Sequence, residues 1–99
     1  MARRKIVWTQ KANLERREIL EYWINKNKSN AFSLKLNSLI EAQLYLILEQ
    51  PKIGRKTDIP NVYIKIIHKY LLYYEFVNDT LYILTIRHGS QNSENVELK

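Results

Sequence analysis

The spacing of hydrophobic positions changes twice along the chain, and each change marks a new kind of element. Lys5 to Trp8 carries β-branched Ile6 and Val7 and predicts a short strand. Thr9 follows with a hydroxyl suited to capping a helix. From about Gln10 to Asn25, Ala12, Ile19, Leu20 and Trp23 recur on one face at helical spacing, while Arg17, Glu18 and Glu21 occupy the other side. Asn25 to Asn30 has no apolar residue beyond this face and reads as a tight polar connection, with Ser29 or Asn30 as the next cap. A second helix is predicted from about Ala31 to Glu49, stopped by Pro51. Its main stripe is Phe32, Leu36, Leu39, Ile40, Leu46 and Ile47. Leu34, Leu44, Tyr45 and Leu48 fall on its opposite side, so the helix is apolar on two faces and needs a second cover, either the first helix or another chain.

Beyond Pro51 the period shortens. Pro51 to Asn61 reads as a loop with a basic character, from Lys52, Arg55 and Lys56 against Asp58. Val62 to His68, Leu71 to Val77 and Leu81 to Arg87 are rich in Val, Ile, Tyr and Phe and are separated by turn-like residues, which predicts an antiparallel meander. The order β-α-α-β-β-β implies an α+β fold in which a helical hairpin packs on one face of a small antiparallel sheet. Alternation assigns Leu72, Tyr74, Phe76, Tyr82, Leu84 and Ile86 to the helix-packed side. It assigns Tyr63, Lys65, Tyr73, Glu75, Thr85 and Arg87 to an open face. Residues 1–99 are expected to form a single domain, with 89–99 a mobile tail.

Composition narrows the chemistry. At 99 residues the chain has room for one core, and 45% hydrophobic with 26% charged residues is the balance of a globular domain. The absence of cysteine removes disulfide scaffolds and thiolate chemistry. Ile6 to Trp8 is too short for the apolar core of a secretion signal and no stretch is long enough to span a bilayer, so a cytoplasmic location away from membranes is expected. A formal charge of +6 favours an anionic partner. His68 and His88 stand alone, without ligand-spaced companions, so no metal and no cofactor is expected. Lone Gly54 and Gly89 build no phosphate-cradling loop. Metal-free chemistry on phosphate esters survives this elimination: Lys65, Lys69 and Arg87 supply positive charge, and His68, His88, Glu75 or Tyr73 move protons. Protein recognition without catalysis survives equally.

Five strings, in order, then resemble one family. They are VWTQKA at Val7 to Ala12, ILEYW at Ile19 to Trp23, QPKIGR at Gln50 to Arg55, YLLYYEF at Tyr70 to Phe76 and LYILTIRHGSQN at Leu81 to Asn92. Together they resemble the RelE/ParE superfamily, the toxins of bacterial type II toxin–antitoxin pairs, and more closely its ParE-like branch. The resemblance implies a toxin held in a hetero-oligomer with a cognate antitoxin. ParE-like members poison DNA gyrase without known catalysis, whereas RelE-like members cut mRNA in the ribosome. Leu71 stands where nuclease members often carry a basic residue, and Gly89 where some carry a catalytic histidine. For a gyrase poison the target-binding candidates are Arg55, Lys65, Arg87, His88, Gln91 and Asn92. For a ribosome-dependent endoribonuclease the candidates are Lys65 and Arg87 on phosphate, with Glu75 or His68 as base. The antitoxin is expected on Leu34, Leu44, Tyr45 and Leu48.

Overall fold

The structure, a computed structural model, describes residues 4–89. Its elements run β1 (Lys5–Trp8), α1 (Gln10–Asn27), α2 (Ala31–Glu49), β2 (Arg55–Lys56), β3 (Val62–Ile67), β4 (Tyr70–Val77) and β5 (Thr80–His88). The two helices form a hairpin against one face of a five-stranded sheet ordered β1-β5-β4-β3-β2. The α+β class and the helical hairpin are as the pattern predicts. The meander β3-β4-β5 is antiparallel, but β1 joins β5 in parallel, so the sheet is mixed. The reason is topological: the two helices carry the chain from the end of β1 back to the far side of the sheet. A second difference is β2, two residues inside the expected loop. Val62 O accepts from Thr57 N at 3.1 Å, which holds Arg55 and Lys56 opposite Ile64 and Tyr63.

Local chemistry sets the helix ends. The Thr9 hydroxyl accepts from Ala12 N at 3.2 Å and donates to Ile83 O at 2.8 Å, so one side chain caps α1 and ties it to β5. The first helix continues two residues past its expected end and stops where Lys28 takes a left-handed conformation, φ 52°, and donates its N–H to Ile24 O. The Ser29 hydroxyl accepts from Ala31 N at the start of α2.

The principal core lies between the helices and the sheet: Ala12, Leu36, Ile40 and Ile47 meet Leu72, Tyr74, Leu81, Ile83 and Ile86. Leu44 belongs to this core at 2% exposure, with Leu48 packed against it. Of the four residues expected to meet an antitoxin, Leu44 is therefore withdrawn from the surface and Leu48 half-buried, while Leu34 and Tyr45 are exposed. The physical reason is angular. Leu44 lies only about 80° round the helix from Leu36, within a wide buried arc rather than opposite it.

The face assignment needs a second correction. Tyr73 pairs with Thr85 but Tyr74 pairs with Ile83, leaving Leu84 as an extra residue in β5. This bulge reverses the alternation. Leu81 and Ile83 face the helices, while Tyr82 and Leu84 join Val62, Ile64, Leu71 and Tyr73 in a small cluster on the opposite face. That face is not simply open, because Tyr73 and Leu84 are each 4% exposed. Tyr63 and Lys65 also change sides: Tyr63 pairs with Tyr74 and its ring stacks on that tyrosine, 5.7 Å between centroids. Gln91, Asn92 and the tail beyond Gly89 lie outside the described residues.

Candidate functional site

The register separates the residues that a phosphate-cleaving site would have to unite. Glu75 sits opposite Tyr82 and Arg87 opposite Leu71, four positions apart along β4, or about 13 Å at 3.3 Å per residue. They form no cross-strand pair. Lys65 is on β3 opposite Leu72, a residue of the helix-side core. His68 occupies the β3–β4 turn with φ 58°, and its ring stands edge-to-face on Phe32 at 5.4 Å. A turn conformation and an aromatic contact account for it.

A different set converges. Where β5 runs on past the last β1 pair at Ile83, α1 lies along its edge and takes the place of a strand. Glu15 makes that substitution possible: its carboxylate accepts from Thr85 Oγ1 at 2.6 Å and from Ile86 N at 3.3 Å, and pairs with Lys11 at 3.6 Å. Between the second half of α1 and the paired ends of β4 and β5 runs a groove of about 410 Å³. Tyr22, Trp23 and Tyr70 supply its aromatic surface and Lys26, Lys69, Arg87 and His88 its basic groups, which outnumber the two carboxylates of Glu15 and Glu18 on the α1 wall. The ends are fixed from both sides. Trp23 Nε1 donates to Tyr70 OH at 2.7 Å, and the Tyr70 ring meets His88 edge-to-face at 5.6 Å. Lys26 Nζ lies 5.3 Å from the Trp23 centroid, within cation–π reach.

Thus two of the expected target-binding residues, Arg87 and His88, are brought together, while Arg55 and Lys65 are placed elsewhere, along the β2–β3 edge. Tyr22, Trp23 and Lys26 were not expected in a site because Trp23 reads as core and Lys26 falls in the expected polar connection of Asn25 to Asn30. Their spacing, with Lys26 three and four residues after Trp23 and Tyr22, was the available signal.

A second, larger groove of about 920 Å³ lies between the first half of α1 and β4–β5. Leu14 and Val77, both 46% exposed, flank it with Tyr82 and Leu84. This apolar surface escaped the sequence reading because Leu14 is off the core stripe of its helix and the bulge turned Tyr82 and Leu84 towards it. Tyr74 is the one described group with a clear proton-affinity change: burial pushes its hydroxyl above the ordinary value of 10.0, against the opposing hydrogen bond from Gly54. Among the described residues no cluster of three His, Cys, Asp or Glu side chains is arranged to hold a metal, and no helix is long and apolar enough to cross a membrane.

Comparison with known proteins bears on the whole of this architecture. Residues 6–93 match the family model described as the ParE toxin of the type II toxin–antitoxin system parDE. Among solved structures, the chain is similar to one described as the chromosomal ParDE TA system from P. aeruginosa, with a TM-score of 0.72 at 18% identity. The match covers 86% of this chain and 95% of that one, and at this identity it concerns the fold. No curated protein matches the chain in sequence.

Proposed function

The chain belongs to the ParE toxin family of type II toxin–antitoxin systems, and from that premise we propose that it arrests growth by binding DNA gyrase in the cytoplasm, without catalysis of its own. The supporting observation is the convergence of Lys26, Lys69, Arg87 and His88 beside Tyr22, Trp23 and Tyr70 in one groove. Such a surface suits recognition of an acidic or phosphate-bearing partner, since aromatic faces and cations act together where water is partly excluded. The alternative, ribosome-dependent mRNA cleavage by Lys65, Arg87, Glu75 and His68, draws no comparable support, because no base stands beside a pair of cations among those four.

Neutralisation by a cognate antitoxin is the second half of the proposal. Its natural seat is the apolar groove between Leu14, Val77, Tyr82 and Leu84, with the exposed Leu34 and Tyr45 on α2 as a further contact.

The deciding experiment adds the purified chain to purified gyrase and relaxed plasmid DNA. Lost supercoiling or trapped cleaved DNA, reversed by the antitoxin and absent from the folded Arg87→Ala/His88→Ala double variant, is the expected result. Unimpaired supercoiling at large molar excess, with translation halted in a cell-free system, would transfer the reading to the ribosome.

A further inference from the structure

The sheet has one edge that is only half covered, and the residues around it specify what would complete it. β2 pairs with β3 at Tyr63 and Ile64 alone. Val62 O accepts from Thr57 N on that side, so by the alternation of an antiparallel ladder the main-chain groups of Val62, Ile64 and Ile66 all point outward from β4. Ile64 meets Arg55. Ile66, 57% exposed, has no strand beside it among the described residues, and its N–H and C=O are free to pair.

Side chains give that edge two distinct faces. Ile64 and Ile66 share one face with Leu71 and Tyr73, and with Gly54 and Arg55 they border a groove of about 330 Å³. Lys65 also borders this groove, while its register opposite Leu72 assigns its side chain by alternation to the other face. Arg55 and Lys65 have no carboxylate within salt-bridge distance among the described residues, and no acidic residue lines the groove. A second copy of this chain is a poor occupant. Pairing two such edges about Ile66 would set Lys65 opposite the other copy's Ile67 and diagonal to its Lys65, gathering positive charge at the seam with no carboxylate of the described residues to offset it.

We propose that this edge receives an extended segment of a partner protein as an added strand, with apolar side chains on the groove face alternating with acidic ones towards Lys65, and a carboxylate at Arg55. Main-chain pairing at Ile66 supplies the anchorage, and the groove and the two cations supply the selection. The site lies apart from the basic aromatic groove and does not depend on the gyrase reading.

The test is a titration of the isotope-labelled full chain with synthetic hexapeptides, followed by amide NMR. The probes are an alternating Val–Glu peptide, its Val–Lys counterpart, and a Val–Glu peptide with alternate amides N-methylated. The expected result is saturable shifts confined to Arg55 and Lys65–Ile67 with the first peptide, and binding about tenfold weaker or worse with the other two. The Arg55→Glu/Lys65→Glu variant should reverse the preference and take the Val–Lys peptide. Shifts centred on β1 or on the α1 grooves, equal binding of all three peptides, or no binding at millimolar concentration overturns the proposal. Growth arrest by the same wild-type chain, scored separately, reports on the toxin reading alone.

Discussion

The Tyr74 hydroxyl and the Gly54 amide meet at 3.0 Å, and the same hydroxyl donates to Pro51 O at 2.9 Å. Tyr74 is fully buried in the principal core, so this one side chain ties the segment after α2 to the centre of the sheet. The approach is so close that a Cβ on Gly54 would lie 2.7 Å from both Ile64 O and the Tyr74 hydroxyl oxygen. Glycine is required here for space, since its φ is not positive.

Tyr74→Phe should therefore destabilise the fold by about 1–3 kcal/mol, because the Gly54 N–H and the Pro51 carbonyl lose a partner at once. Gly54→Ala should cost at least as much, about 1–3 kcal/mol, as the backbone at Ile64 yields to the added methyl. Urea unfolding monitored by tyrosine and tryptophan fluorescence measures both. A change below about 0.5 kcal/mol in either variant would contradict the geometry.

Burial raises the Tyr74 pKa above its unfolded value of 10.0, so above that pH the unfolded chain releases a proton that the folded chain keeps. The sign follows directly: this contribution to stability is intact below pH 10.0 and declines as pH rises towards the folded pKa. The difference in unfolding free energy between wild type and Tyr74→Phe should shrink as pH rises above 10.0. A constant difference across that range would refute the assignment.

Glu15 substitutes for a missing strand neighbour, so its removal should be felt at a distance from any charge effect. Glu15→Ala leaves the fully buried Thr85 hydroxyl and the Ile86 N–H without this acceptor and should cost about 1–3 kcal/mol. Exposed Glu18 on the same helix serves as the control, with an expected change within about 0.5 kcal/mol on mutation to alanine. Thermal unfolding of the three proteins at neutral pH decides between them.

Lys26 and Lys69 line the basic groove from opposite walls. Lys26→Gln/Lys69→Gln should leave the melting temperature nearly unchanged while weakening gyrase inhibition about tenfold, with wild-type inhibition itself falling as salt rises. Full potency of the folded double variant at low salt would remove this groove from target recognition.

Much of this was legible in the chain because it depends on local periodicity. The cap at Thr9, the stop at Pro51 and the β-branched and aromatic runs from Val62 onward each act over a few residues, and the α+β order follows from them. The pairing of Arg87 and His88 in one groove was also foreseeable, since they are chain neighbours at the end of a strand. Glu75 and Arg87 were a different matter: same parity suggested proximity, yet register set them four pairs apart.

By itself the sequence determined the elements, their order and the basic charge, because helical and strand periods and turn chemistry are written residue by residue. Tertiary structure alone decided which side of the sheet each tyrosine faces, that Leu44 is core, and that α1 rather than a strand completes β5. The physical reason is that one extra residue, Leu84, inverts every side chain on one side of it relative to the pairing partner. No local pattern records where that insertion falls, since it is fixed by the fit of β5 against β4 and the helices.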